Sequence, residues 1–474
     1  MRDTFFILRI GSNAEKNYIY KTVPFFDAVI AKSNFFESSP GLLSSLFIKL
    51  NIQKSASSYI IDPNTYVFAM NPFDSWSIRS WVKCRKSDAI NKVKDNLRIN
   101  TDDEALKSIR EIQNPTIRDK DKVEVFLIKN SYRKLADKLL PMKLSEAIGN
   151  RALFVEDFMD DRNVIHLVDK TIDYQCNALE SRFNKEKYKD FRVGLIPPKF
   201  ILSPYFAISD DTWLNLMQKI WLAFDSQYSK NDSGIVLLVE KNYFTSNVEK
   251  ITDLLIKSRT TNIFFWVSRF KEETANEEEL SSYVRFVTQL NRHGKRTFSL
   301  FSGGLSTFMI PFGLSGITNA TGYGMDRDIE PVQGGVPTAQ YYIPTLHLRQ
   351  QVLESYNLIL ENEIGVTKED FHSKICSCPI FVNGIQNNAS EMLQYFGELG
   401  DVKIDKGGIR RRYPAQIALE RCNFHFILSR LLEYRWAKQA TCKDSILKLE
   451  KEIELWKNTH EHLNRWLTIL QKEL

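Results

Sequence analysis

Apolar positions along this chain fall into short unbroken runs first and into helical spacing later. Runs rich in β-branched and aromatic side chains occupy residues 5–10, 27–31, 59–61, 191–202, 235–239, 263–267, 297–301 and 316–319. A polar or Gly/Pro-containing turn and then a helical pattern follows each of them. Continuous apolar strands alternating with helices mark a parallel sheet buried on both faces. Eight such units favour a closed (β/α)8, TIM-like barrel over an open doubly wound sheet.

The rhythm breaks between the third and fourth runs. Residues 83–133 are heavily charged, and 155–189 read as an amphipathic helix through Phe158, Val164, Leu167 and Ile172. The pattern predicts a barrel over 1–82 and 191–347, with a helical insertion over 83–190 that is either a rim elaboration or a separate domain. A C-terminal helical subdomain fills 348–474. It opens with a helix over 348–364 and ends with one over 446–474. There Leu449, Ile453, Trp456, Leu463, Trp466, Leu467 and Leu470 recur at steps of mostly three and four. That stripe packs on its own domain or offers a surface to a protein partner.

Composition changes this picture little. The 474 residues are 43% hydrophobic and 26% charged, as in ordinary globular proteins. A net charge of +6 permits a nucleic-acid partner without requiring one. No run reaches the roughly 18–20 apolar residues of a membrane span, and no small-residue cleavage site follows the first apolar run, so neither a membrane partner nor a signal peptide is expected. The six cysteines are unevenly spaced and suggest no disulfide framework, which points to a reducing cytoplasm.

Barrel chemistry belongs at the C-terminal ends of the strands. Those ends carry Arg9, Asn34, Asp62, Tyr205, Glu240 with Lys241, Arg269, Ser302-Gly303-Gly304 and Thr321-Gly322-Tyr323-Gly324. Asp62, where strand gives way to turn in Ile61-Asp62-Pro63, is placed to serve as base or nucleophile, or simply to cap the turn. The glycines 303, 304, 322 and 324 stand where barrels commonly bind phosphate, although glycine pairs also occur in plain loops. Asp326 is a second acid–base candidate or ordinary surface, and Glu240 is held in reserve. Lys403, Lys406, Arg410, Arg411 and Arg412 surround Gly407-Gly408, either as a solvated face or as a flexible loop for nucleic-acid phosphates.

The strongest signal is Cys376-Ser377-Cys378-Pro379 followed by Cys422-Asn423-Phe424-His425. Cys376, Cys378, Cys422 and His425 make a zinc set of the kind that closes a structural site. The alternative is a metal-free remnant filled by Phe381. Cys84, Cys176 and Cys442 have no such companions. A barrel, then C-S-C-P, then a helix bearing a late ligand resembles the tRNA-guanine transglycosylase superfamily, including its branch that inserts 7-deazaguanines into DNA. The resemblance extends to Ile61-Asp62-Pro63 with Tyr66 and Phe68, and to the glycine-containing run 301–321. Phe381 stands where that family has a third cysteine, and Asn319-Ala320-Thr321 where it has its nucleophilic aspartate. Its Asp-Ser-Gly-Gly-Phe-Gln signature is absent. The resemblance implies exchange of a guanine-type base in DNA or tRNA, with Asp62 and Asp326 reacting, Asn34, Arg269 and the rim glycines on the base, and Lys406 and Arg410–Arg412 on the backbone. Two other readings stay open: a non-catalytic nucleic-acid-binding subunit of a larger assembly, and a metabolic enzyme for a small phosphorylated sugar.

Overall fold

The computed structural model describes residues 4–11, 26–39, 41, 46, 58–70, 131–148, 151–179, 197–320, 329, 338–364, 367–404, 410–456 and 461–474. Its centre is a nearly closed barrel of eight parallel strands. The strands are β1 (Phe5–Ile10), β2 (Ala28–Lys32), β3 (Ser58–Asp62), β4 (Ile201–Leu202), β6 (Ser233–Glu240), β7 (Asn262–Ser268), β8 (Arg296–Ser299) and β9 (Leu314–Ala320), with a short β5 (Ala207–Ile208) also pairing β6. Neighbours follow chain order around the barrel, and β9 returns to β1 with Ile7 opposite Thr318. The remaining gap, between β3 and β4, is bridged by a hydrogen bond from Lys199 N to Tyr59 O of 2.8 Å.

The expected strand over 191–202 shrinks to two residues among those described. Pro197, Pro198 and Pro204 crowd this stretch, and a proline has no N–H to give a ladder. Side chains repair the deficit. Gln175 accepts from Leu202 N at 2.8 Å and donates to Leu202 O at 2.7 Å, so the helix Asp161–Asn177 stands in for a neighbouring strand. Asp160 starts that helix by accepting from Arg162 N. Val164, Leu167 and Val168 are on its buried side, and the helix lies in the connection from β3 to β4. The charged stretch over 83–130 lies outside the described residues.

The lower half of the barrel is filled by aromatic rings. Phe264 and Phe298 stack at 4.5 Å, and Phe200 and Phe5 close the cluster. Two glycines make room for it: a Cβ on Gly234 would lie 2.9 Å from Phe264, and one on Gly316 would lie 2.5 Å from Phe298. Arg296 sits over Phe5 and Phe298, sealing the lower end. Alternation along β1 then carries Arg9, four residues after Phe5, to the upper mouth.

Beyond the barrel a hairpin, β10 (Gln340–Ile343) and β11 (Leu348–Gln351), leads into helices rather than one helix beginning at 348. The helix Gln416–Gln439 clamps the barrel's base, where the Tyr434 hydroxyl donates to Thr4 O at 2.7 Å. The terminal stripe is two helices, Cys442–Leu455 and Glu461–Lys472. Trp456, Leu463, Trp466 and Leu470 are buried, and Trp466 Nε1 donates to Glu272 O at 2.9 Å. The apolar face offered above as a partner surface is thus used internally. No helix among the described residues is long and apolar enough to cross a membrane.

Candidate functional site

Six side chains form a closed circuit of contacts at the upper mouth of the barrel. Arg9 Nη1, from β1, lies 3.1 Å from Asp62 Oδ2 at the end of β3. The Tyr205 hydroxyl donates to Asp62 Oδ1 at 2.7 Å, and Asn64 N donates to the same oxygen at 3.0 Å. Tyr205 stacks on Tyr66 at 5.6 Å, Tyr66 meets Trp266 edge-on at 5.4 Å, and Trp266 meets Phe301 at 4.9 Å. The circuit closes where the Arg9 guanidinium lies 4.5 Å from the centre of the Phe301 ring.

The circuit is buried except at Phe301, which is partly exposed. Burial, with the Asp62 carboxylate beside it, raises the Tyr205 phenol well above its ordinary value, so Tyr205 stays a donor. Arg9 is 5% exposed, and its Nε and Nη2 are buried with no hydrogen-bond partner among the described residues. A planar cation and a carboxylate therefore face one another inside an aromatic wall. Asn34 is linked to this site through Asn64: its Oδ1 accepts from Asn64 Nδ2 at 3.1 Å.

The glycine pair after β8 does not hold an open anion site. Glu272, fully buried, places its carboxylate where the phosphate was expected: it accepts from Gly303 N at 2.8 Å, Ser306 N at 3.0 Å and Ser306 Oγ at 2.5 Å. The N–H groups are thus satisfied by an internal anion. Burial raises the Glu272 carboxyl against the pull of these donors. Gly303 and Gly304 are packing residues, since a Cβ on either would lie 2.6 Å from Glu272 or 2.4 Å from His347. Gly322, Gly324 and Asp326 lie outside the described residues. Glu240 is exposed at the end of β6, and Arg269, exposed with φ of 60°, follows β7.

Cys376, Cys378 and His425 come together as a possible metal-binding group, their ligand atoms all within 4.8 Å of one another. Cys378 Sγ is 3.1 Å and Cys376 Sγ 3.8 Å from His425 Nδ1. His425 Nε2 lies 2.7 Å from Tyr342 O, an arrangement that gives Nε2 the proton and leaves the Nδ1 lone pair facing the sulfurs. Backbone N–H groups of Cys378 and Phe381 donate to the two sulfurs at 3.3 and 3.4 Å. A hydrogen bond from Cys376, together with His425, depresses the Cys378 thiol against the cost of burial, while burial raises Cys376. The donor set of two sulfurs and one imidazole fits a divalent metal such as zinc.

Cys422 is not in this group; its thiol donates to Phe396 O at 3.6 Å. On a helix of about 100° per residue, Cys422 and Ser429, three before and four after His425, fall within about 20° of one another, so they differ by lying one turn to either side of it along the axis. The ligand face of Gln416–Gln439 runs forward from His425 to Ser429, whose Oγ is 3.4 Å from both Cys376 Sγ and His425 Nδ1. Phe381 is buried 6.1 Å from the His425 ring, and Tyr341 stacks on it at 4.3 Å.

The described residues of the basic segment are two paired strands. β12 (Leu399–Ile404) pairs antiparallel with β13 (Arg410–Pro414), with Ile404 opposite Arg410 and Val402 opposite Arg412. Arg410 and Arg412 are exposed and, two apart, share one face; Lys406 lies outside the described residues. Sequence reasoning placed Arg9 and Tyr205 on the rim but gave no role to Trp266 or Phe301. An aromatic at the last positions of an apolar run is the signal that both carried.

No family model, no curated protein and no solved structure matches this chain.

Proposed function

We propose that the barrel mouth binds a guanine-type base of nucleic acid and exchanges it by a transglycosylase-like reaction. The observation that carries this reading is the buried Arg9–Asp62 pair set in the wall of Tyr66, Tyr205, Trp266 and Phe301. Flat aromatic walls suit a base taken out of its stack. Asp62 stands at the end of β3, where barrel enzymes keep their reacting groups. In the exchange, a carboxylate oxygen bonds to the sugar carbon as the carbon's bond to the base nitrogen breaks, and the departing base takes a proton from a second acid; the nitrogen of the incoming base then attacks the same carbon, the carboxylate leaves, and the N–H proton returns to the second group. Asp62 is the attacking group in this scheme, and Glu240 on the same rim is the acid. Arg410 and Arg412 would hold phosphates of the polymer, DNA or tRNA. Zinc on Cys376, Cys378 and His425 would be structural, tying the helix Gln416–Gln439 to β10 through Tyr342.

One observation favours a second reading, a binding subunit without chemistry. The Asp62 oxygens already accept from Arg9, Tyr205 and Asn64, which lowers a carboxylate's nucleophilicity and suits a positioning role. Labelled guanine or 7-deazaguanine offered with nucleic acid separates the two. Asp62→Asn is expected to abolish incorporation and leave polymer binding nearly intact. Arg410→Ala with Arg412→Ala is expected to weaken binding and to lower the slope of log K against log salt by about one for each phosphate no longer neutralised. Binding with no incorporation by the unaltered protein would favour the subunit. Neither effect would end the nucleic-acid reading.

A further inference from the structure

Arg9 has a specific geometry that the exchange scheme leaves unused. A guanidinium offers its donors in a rigid planar fork, and Nε–H and one Nη2–H point from the same edge. In this protein Nη1 donates to Asp62, and Phe301 lies against the guanidinium, so the plane is fixed on two sides. The remaining edge carries Nε and Nη2, both buried and both without an acceptor among the described residues. Buried donors of a charged group are rarely left this way unless a ligand or water completes them.

A side-on fork of this kind matches two adjacent acceptors in one plane. Among bases, guanine presents such a pair as O6 and N7, whereas adenine offers N7 beside an amino donor. We infer that Arg9 is a specificity-determining residue that reads the O6/N7 edge of the base, with Asp62 and Phe301 holding it in plane. This rests on the reading of the mouth as a base-binding site and deepens it. The consequence is a ranking: a base lacking N7 forfeits half of the fork, so guanine binds more tightly than its 7-deaza analogue.

Calorimetric titration of the full chain tests the assignment, with 9-methyl bases used so that N7 remains an acceptor. 9-Methylguanine and 9-methylhypoxanthine share the acceptor pair and should bind alike. 9-Methyladenine and 7-deaza-9-methylguanine should bind roughly ten- to a hundredfold more weakly, the range a bidentate contact gives. Arg9→Lys keeps a cation beside Asp62 but removes the fork, and it should level the four affinities. If that variant does not fold, as its melting curve would show, Arg9→Met combined with Asp62→Asn removes the buried pair together and should level them as well. A ranking that survives either folded variant overturns the assignment. So does Arg9-dependent binding of benzoate in place of any base, which would make the acceptor pair a carboxylate. If no base binds while Asp62-dependent incorporation persists, Arg9 is not the reader but the exchange reading stands. If neither occurs, both fail.

Discussion

Gly303 shows how a single residue can mislead when only its neighbours in sequence are known. Glycine beside a helix start suggests an anion cradle, and an anion is there, but it is Glu272 from 31 residues earlier. A Cβ at Gly303 would lie 2.6 Å from Glu272 Oε2, so Gly303→Ala must displace a buried carboxylate from three donors. The expected loss is about 2–3 kcal/mol, visible as a lowered midpoint in urea. Gly41→Ala, where nothing lies within 4 Å, is the matched control and should change little. Equal effects at the two positions would show that Glu272 is not held as described. Asp62 was readable for a related reason turned round: its neighbours Ile61 and Pro63 mark a strand end whatever folds around it. Its partners Arg9 and Tyr205, 53 and 143 residues away, are brought to it only by barrel closure.

At the scale of elements, the barrel strands were legible because strands buried on both faces become unbroken apolar runs, as in Ile235 to Val239. The fourth was legible in place but not in extent, because prolines crowd it and a glutamine on a neighbouring helix supplies its missing partner. The terminal stripe was legible as apolar helix, but its division near Trp456 was not, since periodicity passes over a break that keeps phase. The candidate metal set was legible in three of its four members, Cys376, Cys378 and His425, and misread in Cys422. Spacing alone puts Cys422 and Ser429 equally near His425, and only the docking of Pro379–Gly384 against the long helix chooses between them. The difference is measurable. Cys378→Ser and His425→Ala are expected to lose bound zinc and lower the melting temperature, while Cys422→Ser should keep its zinc content by elemental analysis. Loss of metal in Cys422→Ser would restore the four-ligand set, and a metal-free parent protein would remove the site altogether.

At the scale of the whole molecule, the barrel and the C-terminal helices are joined by a charged chain that is buried except at Lys448. Lys448 pairs with Glu452 at 2.7 Å, Glu452 with His347 at 3.0 Å, and His347 with Glu433 at 3.5 Å. Glu433 pairs with Arg430 at 2.5 Å, and Arg430 donates to Gly303 O at 2.7 Å, which ends the chain at the barrel. Burial works against the charge on His347, but Glu452 and Glu433 outweigh it and raise the imidazole to about 9. Since the folded value exceeds the unfolded one of about 6.5, protonated His347 contributes its full stability below about pH 6.5. That contribution is lost as pH rises through about 9. The melting temperature should therefore fall between about pH 7 and pH 9.5. His347→Gln should melt lower at pH 7, because Glu433 and Glu452 lose a buried cation. It should also show a flatter decline over the same interval, converging on the parent protein near pH 10. Parallel curves for the two proteins across that range would mean that His347 is neutral in the fold and adds no charge to this junction.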